Sequence, residues 1–234
     1  MRICTICVRG GSKGVPGKNW RIINGLPLFA HSIRSARATG LFDRVVVSSD
    51  APEVLNTAVE YGADWVVVRP AEMANDSAGK VPAIAHAVRS AEEHFGETYD
   101  ICVDLDATSP LRIPEDIIGA VELLESTDAK SVITGAEAHR SPYFNLVEED
   151  ANGYVSVSKK LPAEVLRRQD APRSFDMNGS VYVWRREALV EGLNVFHDNT
   201  RLYEMPPSRS LDIDHELDFK IVEFLMKEAE SKGN

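Results

Sequence analysis

The sequence of 234 residues has no long hydrophobic run, no excess of basic residues and few cysteines. A membrane-spanning helix needs about eighteen or more consecutive apolar residues, and no such run is present. The 36 acidic residues outnumber the 26 basic ones and give a formal net charge of −10. Nucleic acids and anionic membranes are bound through excess lysine and arginine, so neither is expected as a partner. An anionic small ligand would need a local basic cluster.

The three cysteines are an odd number, which suits a reducing compartment better than a disulfide framework. Cys4 and Cys7 form a C-x-x-C pair, but residues three apart on a strand point to opposite faces, whereas a redox pair sits at a helix start. A zinc site needs four ligands, and only Cys102 and six scattered histidines remain. Because the first apolar stretch lacks a small-residue cleavage site, we expect a cytoplasmic protein.

Short apolar segments alternate with helical patterns along the first 135 residues, and the whole chain is expected to form a single domain over residues 1–234. The predicted strands are Ile3–Val8, Arg44–Ser49, Trp65–Val68, Ile101–Leu105 and Lys130–Thr134. The predicted helices are Pro27–Thr39, Pro52–Tyr61, Val81–Phe95 and Pro114–Glu125. This alternation predicts an α/β fold with a Rossmann-like, mostly parallel sheet and helices on both faces.

The alternation stops at residues 136–177, which are polar and rich in proline, with one short alternating piece at Tyr154–Ser158. This segment is either a surface insertion or an arm. Ser180–Trp184 then reads as a core strand. Asp214–Glu230 reads as a closing helix, for which the 3.6-residue period predicts a buried face. That face consists of Leu217, Ile221, Phe224 and Leu225.

The first strand leads directly into a loop, residues 9–19, that has the composition of a phosphate site and that we call the front loop. Its four glycines allow positive φ and close approach to a ligand, and Arg9, Lys13 and Lys18 add three cations. The loop matches neither the Walker pattern nor the dinucleotide fingerprint. Ligands of parallel sheets bind at the carboxyl ends of the strands, where this loop lies. The alternative is a glycine-rich surface turn with solvated lysines.

Two aspartate pairs could contribute to chemistry. Asp212 and Asp214 face the same way in an extended segment and could share a magnesium ion, which prefers oxygen ligands. Alternatively, Asp214 caps the helix that follows. Asp104 and Asp106 end a buried strand, and Asp106 is expected to emerge toward the ligand crevice, because a buried carboxylate is costly unless it is paired. The alternative for this pair is an aspartate that forms a turn with Thr108 and Ser109.

The motif Arg9-Gly10-Gly11-Ser12-Lys13-Gly14, followed by Pro16-Gly17-Lys18-Asn19, resembles the amino-terminal signature of the acylneuraminate cytidylyltransferases, the CMP-sialic acid synthetase family. Further blocks resemble the family in the same order along nearly the whole chain. They are Arg69–Ala74 with Asp76, Thr108–Arg112, Pro142–Asn145, Arg167–Gln169, Asp176–Ser180 and Asp212–Phe219.

The resemblance implies a fold of the nucleotide-diphospho-sugar transferase type, in which residues 136–177 form a dimerisation arm of a homodimer. It implies that CTP is held by Arg9, Gly10, Gly11, Ser12, Lys13, Lys18, Asn19 and Arg69. It implies a sugar site made of Asp106, Thr108, Tyr143, Asn145, Arg167 and Arg168. Catalysis would fall to Arg9, Lys18 and Asp214, with magnesium on Asp212 and Asp214. For Arg69 the alternative is an ordinary surface arginine.

The implied reaction transfers CMP from CTP to a nine-carbon 2-keto sugar acid (a nonulosonic acid) and releases pyrophosphate. Sialic-acid enzymes of the family usually carry Gln-Pro where this chain has Asp106 and Ala107, which bears on the sugar bound because a carboxylate only accepts hydrogen bonds. Several blocks look more like the synthetases for CMP-legionaminic acid, so that sugar is favoured over N-acetylneuraminic acid. The alternatives are a nucleotide-sugar glycosyltransferase and a non-catalytic nucleotide-binding protein.

Overall fold

The computed structural model describes residues 1–11, 14–75, 79–163 and 165–233. Its strands are β1 (Arg2–Cys7), β2 (Ile22–Ile23), β3 (Leu26–Pro27), β4 (Arg44–Ser49), β5 (Trp65–Val68), β6 (Ile101–Leu105), β7 (Ser131–Glu137), β8 (Val147–Glu149), β9 (Val155–Val157), β10 (Phe175–Arg185) and β11 (Arg201–Glu204). Its helices are α1 (Leu28–Thr39), α2 (Pro52–Leu55), α3 (Lys80–Phe95), α4 (Pro114–Glu125), α5 (Arg186–Val190) and α6 (Glu216–Gly233).

Seven strands form one sheet in the order β11-β7-β10-β6-β1-β4-β5. All neighbouring strands run parallel except β10, which is antiparallel to both β6 and β7. The prediction of a mostly parallel sheet is therefore confirmed. Because parallel strands end at a common edge, the segments that follow β1, β4, β5 and β6 open on the same side of the molecule.

Helices cover both faces of the sheet, as predicted. On one face α1 and α4 bury Phe29 and Leu124 against the strands, and on the other α3 buries Ile84. The side chains of successive strand residues point to opposite faces of the sheet, so Val45 packs on the first face and Val46 on the second. Strands that are apolar at every position are what a sheet covered on both faces requires.

A third, smaller hydrophobic cluster joins the loop after β1 to the carboxyl-terminal part of the chain. Its buried members are Val15, Ile23, Leu28, Ile213, Phe219 and Val222. Two segments almost 200 positions apart are thereby packed against each other. Phe219 is also covered by the guanidinium of Arg21, which lies 4.0 Å from its ring centre.

Helix α6 packs with a different face from the predicted one. It begins at Glu216 rather than Asp214, and its buried residues are Phe219 and Val222. Of the predicted face, Leu217, Ile221 and Phe224 are exposed and Leu225 is only partly buried. The sequence carries two apolar stripes around this helix, and periodicity alone does not tell which one meets the front loop.

Several ends of β1, α1, α3, β7 and β10 differ from the prediction by one residue, and three boundaries outside α6 differ by more. The predicted helix Pro52–Tyr61 ends at Leu55, because the following turns are closed mainly by hydrogen bonds over three residues, such as Thr57 to Val54 and Glu60 to Thr57. β7 continues to Glu137 and β10 already begins at Phe175, because these two strands pair with each other beyond the core of the sheet.

Residues 138–174 connect β7 and β10 and carry the small hairpin of β8 and β9. We call these residues the arm. It exposes several large apolar side chains, namely Phe144, Leu146, Val147, Tyr154, Val155, Leu161 and Leu166. Within the described residues, none of the helices has both the length and the apolar character needed to cross a membrane.

Candidate active site

A cavity of about 400 Å³ opens at the carboxyl-terminal edge of the sheet, beside the front loop. It is lined by Cys7, Val8, Arg9, Gly11, Gly14, Lys18, Asn19, Arg69, Met73, Asn75, Gly79, Lys80, Ala83, Asp106, Thr108 and Asp214. Residues from the front loop, the end of β5, the start of α3, the end of β6 and the segment before α6 thus line one cavity, which we call the front cavity. Asp214 is the lining residue from the last of these segments, and we call Asp212 and Asp214 the acid pair.

The front loop and the acidic segment Asp212–Asp214 are in direct contact. The Lys18 ammonium donates to the Ile213 carbonyl oxygen and lies 3.4 Å from a carboxylate oxygen of Asp214. Gly14 lies so close to this segment that a Cβ at that position would overlap the Asp214 carbonyl oxygen. Ile213 is fully buried between the two aspartates and anchors them to the loop.

The described glycines of the front loop have different surroundings. Of these glycines, only Gly17 has a positive φ, of 64°. Gly14 is required for close approach to the acidic segment, and it also lines the front cavity. Gly10 donates its N–H to the Asp50 carboxylate at 2.8 Å, and Gly11 has open space where a side chain would lie. The predicted nucleotide-binding residues Ser12 and Lys13 lie outside the described residues, as does Asp76.

Three further predicted nucleotide-binding residues line the front cavity. Arg9 donates to the Asn75 carbonyl oxygen at 3.4 Å. Asn19 is buried and donates its amide to the Arg9 carbonyl oxygen at 2.9 Å, which braces the loop. Arg69 is only 7% exposed and donates to the Ser48 carbonyl oxygen at 3.2 Å. The alternative of an ordinary surface arginine at position 69 is therefore wrong.

Asp106 emerges from the end of β6 into the front cavity, as predicted, and it also forms the turn that was considered as the alternative. One of its oxygens accepts from the backbone N–H and the hydroxyl of Thr108, both at 3.0 Å, and the other accepts from the Lys80 ammonium at 2.8 Å. Desolvation would raise the pKa of Asp106, but Lys80 and Thr108 outweigh it and hold that pKa well below its usual value.

Lys80 is shared between two carboxylates. Besides Asp106 it lies 3.2 Å from Asp104, whose side chain is fully buried and accepts the Thr5 hydroxyl on its other oxygen at 2.8 Å. The ammonium also lies 4.4 Å from the ring centre of Tyr182. Desolvation lowers the pKa of Lys80, but Asp106 and Asp104 more than compensate and leave it above its usual value. The lysine is therefore charged at neutral pH.

Asp212 and Asp214 both project from the extended segment before α6. Desolvation, followed by the charge of Asp214, raises the pKa of Asp212. The segment is fixed to the β6 loop because Ile213 donates its N–H to the Thr108 carbonyl oxygen at 2.9 Å. Asp214 does not cap α6: the carboxylate of Asp218 accepts the N–H groups of Asp214 and His215, at 3.0 and 2.7 Å.

A second cavity, of about 490 Å³, lies on the other side of the acid pair. Its lining comprises Ala136, Glu137, His139, Arg168, Asp176, Met177, Asn178, Pro207, Ser210 and Asp212. We call it the rear cavity. Asp214 lines the front cavity and Asp212 the rear one, so the acid pair stands where the two meet.

The predicted sugar-binding residues of the arm are not gathered in one place. Arg168 lines the rear cavity and donates to the Ala138 carbonyl oxygen. Arg167 is largely exposed and pairs with Asp170 at 2.8 Å. Asn145 accepts the Ser141 N–H at 2.8 Å and so shapes the arm's own turn. Neither Tyr143 nor Asn145 lines the front or the rear cavity.

Two residues that shape the site were missed by the sequence reasoning. Lys80 opens α3, where a lysine gives no sign that it will meet two carboxylates from β6. Asp50 follows β4 and holds Gly10. A partial signal existed for both, because each lies at the carboxyl-terminal side of the parallel sheet. For Lys80 there was also the buried Asp104, since a buried carboxylate needs a cation or a hydrogen-bond donor beside it.

Comparison with known proteins places this geometry in context. A protein-family model described as "Cytidylyltransferase" matches residues 3–227. The chain is 44% identical over 226 residues to "Post-translational flagellin modification protein B" of Campylobacter coli, covering 97% of this chain and 95% of that protein. It is 45% identical over 224 residues to "CMP-N,N'-diacetyllegionaminic acid synthase" of Campylobacter jejuni, covering 96% and 94%.

A solved structure of CMP:2-keto-3-deoxy-manno-octonic acid synthetase complexed with CTP superposes with a TM-score of 0.71. The alignment covers 97% of this chain and 99% of that one, at 19% identity, and therefore supports the fold alone. The predicted α/β fold with a mostly parallel sheet is thus confirmed.

Proposed function

The chain belongs to the cytidylyltransferase family and is a nucleotidyltransferase, and we propose that it transfers CMP from CTP to a nine-carbon 2-keto sugar acid with release of pyrophosphate. N,N'-diacetyllegionaminic acid is the favoured acceptor, because a relative 45% identical over almost the whole chain is named for that product. N-acetylneuraminic acid is the second candidate, in line with the family resemblance.

The observation that carries the proposal is the contact between the front loop and the acid pair. Lys18 donates to the Ile213 carbonyl oxygen and lines the front cavity together with Arg9 and Asp214, so cations and a carboxylate stand beside each other at one opening. A triphosphate needs the cations, and an ion that bridges its oxygens needs the carboxylates. Transfer of CMP from CTP to an acidic sugar needs the cations and the carboxylates at the same place.

The front cavity is the proposed nucleotide site. Arg9 and Lys18 would neutralise the phosphates, together with backbone N–H groups of the front loop. Arg69 would contact the base, and its buried Nε carries no hydrogen bond within the described part of the chain. An unsatisfied buried donor that lines a cavity is suited to a ligand acceptor.

The rear cavity is the proposed site for the sugar acid. Arg168 lines it together with Asp212, and a guanidinium fork matches a carboxylate with two parallel hydrogen bonds. The sugar's carboxylate would lie on Arg168. Asp106 and Thr108, on the front side, would hold polar substituents of the same sugar.

In the reaction, the anomeric hydroxyl oxygen of the sugar forms a bond to the α-phosphorus of CTP. The bond between that phosphorus and the oxygen bridging to the β-phosphate breaks, and pyrophosphate leaves. Lys18 and Arg9 stabilise the charge on the leaving group, since electrostatic stabilisation by fixed donors is usually the largest catalytic contribution. The hydroxyl proton passes to a carboxylate of the acid pair, either Asp212 or Asp214.

The acid pair fits a magnesium ion. Its donors are oxygens. Desolvation and, after it, the charge of Asp214 raise the pKa of Asp212, and a divalent cation would offset both effects. No group of three or more histidine, cysteine, aspartate or glutamate side chains suited to a metal is found in the part of the chain that is described. Magnesium typically uses one or two carboxylates plus substrate phosphates. When bound, it would polarise the α-phosphate and acidify the attacking hydroxyl.

We also propose that the enzyme is a cytoplasmic homodimer formed through the arm. The arm exposes Phe144, Leu146 and Tyr154, and a cluster of exposed apolar residues marks an interaction surface. Tyr143 and Asn145, which line neither cavity of their own chain, would then approach the partner's site. Unpaired cysteines at positions 4, 7 and 102 suit a reducing compartment.

The test is pyrophosphate release from CTP in the presence of one sugar acid at a time, with and without magnesium. We expect release with N,N'-diacetyllegionaminic acid, slower release with N-acetylneuraminic acid, and none without a divalent cation. Consumption of a nucleotide sugar without pyrophosphate release would favour a glycosyltransferase. CTP binding with no release for any sugar acid would favour a binding protein.

The matched variants are Lys18→Ala and Lys130→Ala. Lys130 pairs on the surface with Asp198 at 3.1 Å and lines neither cavity, so its loss should leave the rate unchanged. Loss of Lys18 should lower kcat by about 100-fold to 1,000-fold, the usual effect of removing one fixed donor to developing charge. Equal rates for the two variants would remove Lys18 from the mechanism.

A further inference from the structure

Lys80 and Asp106 form a coupled pair in the floor of the front cavity. The Lys80 side chain is 32% exposed, and that surface faces the cavity it lines. Its ammonium carries three N–H donors, of which one is hydrogen-bonded to Asp106 at 2.8 Å. It also lies 3.2 Å from an oxygen of Asp104 that accepts no hydrogen bond within the described residues. The ammonium therefore keeps donors for a ligand.

The pair also explains why position 106 carries a carboxylate. One oxygen of Asp106 accepts from Thr108 and the other accepts from Lys80. An amide has only one acceptor atom and would place an N–H group against either Thr108 or Lys80. The carboxylate at position 106 and the lysine at position 80 are therefore one structural feature.

The pair lies next to the reacting groups. Both residues line the front cavity together with Lys18 and Asp214. The Asp106 loop is also bonded to the acid segment through Thr108 and Ile213. A substituent of the acceptor sugar, rather than the triphosphate tail, is expected here, because Asp104 and Asp106 leave the cluster with one excess negative charge.

From this geometry we propose that Lys80 is a specificity-determining residue: it fixes Asp106 as an acceptor and itself donates to a polar substituent of the sugar acid, so that the pair reads a group able both to donate and to accept hydrogen bonds. The inference rests on the proposed function. A hydroxyl or an acetamido group has this character, and N,N'-diacetyllegionaminic acid carries two acetamido groups where N-acetylneuraminic acid carries one.

The test is a double-mutant cycle with Lys80→Met, Asp106→Asn and the double variant, in which KM and kcat are measured separately for CTP and for each of the two sugar acids. We expect each single variant to lower kcat/KM for the preferred sugar acid by between about tenfold and 150-fold, the worth of one charge-assisted hydrogen bond. We expect KM for CTP to change by less than about threefold, and preference between the two sugars to shrink.

Because the pair acts as a unit, the double variant should be no more than about threefold worse than the poorer single variant. The proposal would be overturned if the loss of kcat/KM in the double variant equalled the product of the losses in the two single variants. It would also be overturned by a change in KM for CTP as large as that for the sugar acid, or by an unchanged sugar preference. If Lys80→Met fails to fold because Asp104 loses its counter-charge, Asp106→Asn, which keeps the Lys80 and Asp104 ion pair, carries the same test.

Calorimetric titration of CTP into each variant confirms that the nucleotide site is intact. The two proposals fail in different ways. A parent enzyme that releases no pyrophosphate with any sugar acid refutes the proposed function. An active parent whose Lys80→Met and Asp106→Asn variants keep the parental sugar preference refutes only the role of Lys80.

Discussion

Replacement of Gly14 by alanine should disable the enzyme without removing any group that contacts substrate. The added Cβ would overlap the Asp214 carbonyl oxygen and lie 3.2 Å from the carbonyl carbon. Relief of this overlap requires the acid segment to move away from the front loop by on the order of 1 Å, and a misplacement of that size costs roughly 100-fold in rate. The contact between Lys18 and Asp214 would be lost with it.

The same substitution should destabilise the fold, because the acid segment is held by the buried Ile213. Overpacking of a close contact typically costs about 1–3 kcal/mol. In a domain of this size each kcal/mol lowers Tm by roughly 2–4 °C. We therefore expect a thermal transition lower by about 2–12 °C, measured by scanning calorimetry in the absence of ligands.

Gly11→Ala is the control for the stability measurement. Gly11 belongs to the same loop and lacks a positive φ, and among the described residues no atom beyond its chain neighbours lies within 4 Å of the position its Cβ would take. Its substitution should leave Tm within about 1 °C of the parent value, in line with a surface change that touches nothing. Parental Tm and parental kcat for Gly14→Ala would refute the packing of the acid segment against the front loop.

Three further predictions follow from the site. Arg168→Met should raise KM for the sugar acid by about tenfold or more, because a charged hydrogen bond to its carboxylate is lost, while Arg167→Met, whose arginine pairs with Asp170 on the surface, should change it less than threefold. Arg69→Ala should raise KM for CTP and leave KM for the sugar acid unchanged in steady-state assays. Asp212→Asn should abolish turnover yet raise Tm of the metal-free protein at neutral pH. Since the folded-state pKa of Asp212 is raised, its charge destabilises the fold above that pKa, so the gain should vanish at pH 3, where the carboxyl is protonated.

The sheet could be predicted from the sequence because each parallel strand covered on both faces has to be apolar throughout. Strands such as Arg44–Ser49 and Ile101–Leu105 therefore had the predicted bounds. The buried face of α6 could not be predicted, because the helix has two apolar stripes. Only tertiary contact with Val15 and Ile23 determines which stripe is buried. Periodicity is a local signal, and that contact is between segments far apart in the chain.

The candidate site was foreseen where residue type and position agree. Basic residues after the first strand and carboxylates before the last helix both have an obvious chemical use, and the structure places Lys18 beside Asp214. Lys80 was missed because its partners, Asp104 and Asp106, come from another strand. The need for glycine at position 14 was also missed, because it arises from contact with the backbone of Asp214, 200 positions later in the chain.

The most direct test of the central claim is a crystal structure of the protein with CTP and magnesium. The account predicts the triphosphate in the front cavity, with its oxygens on Arg9 and Lys18 and the metal between the phosphates and the carboxylates of Asp212 and Asp214. A triphosphate bound outside that cavity, or an acid pair that contacts neither metal nor phosphate, would contradict it.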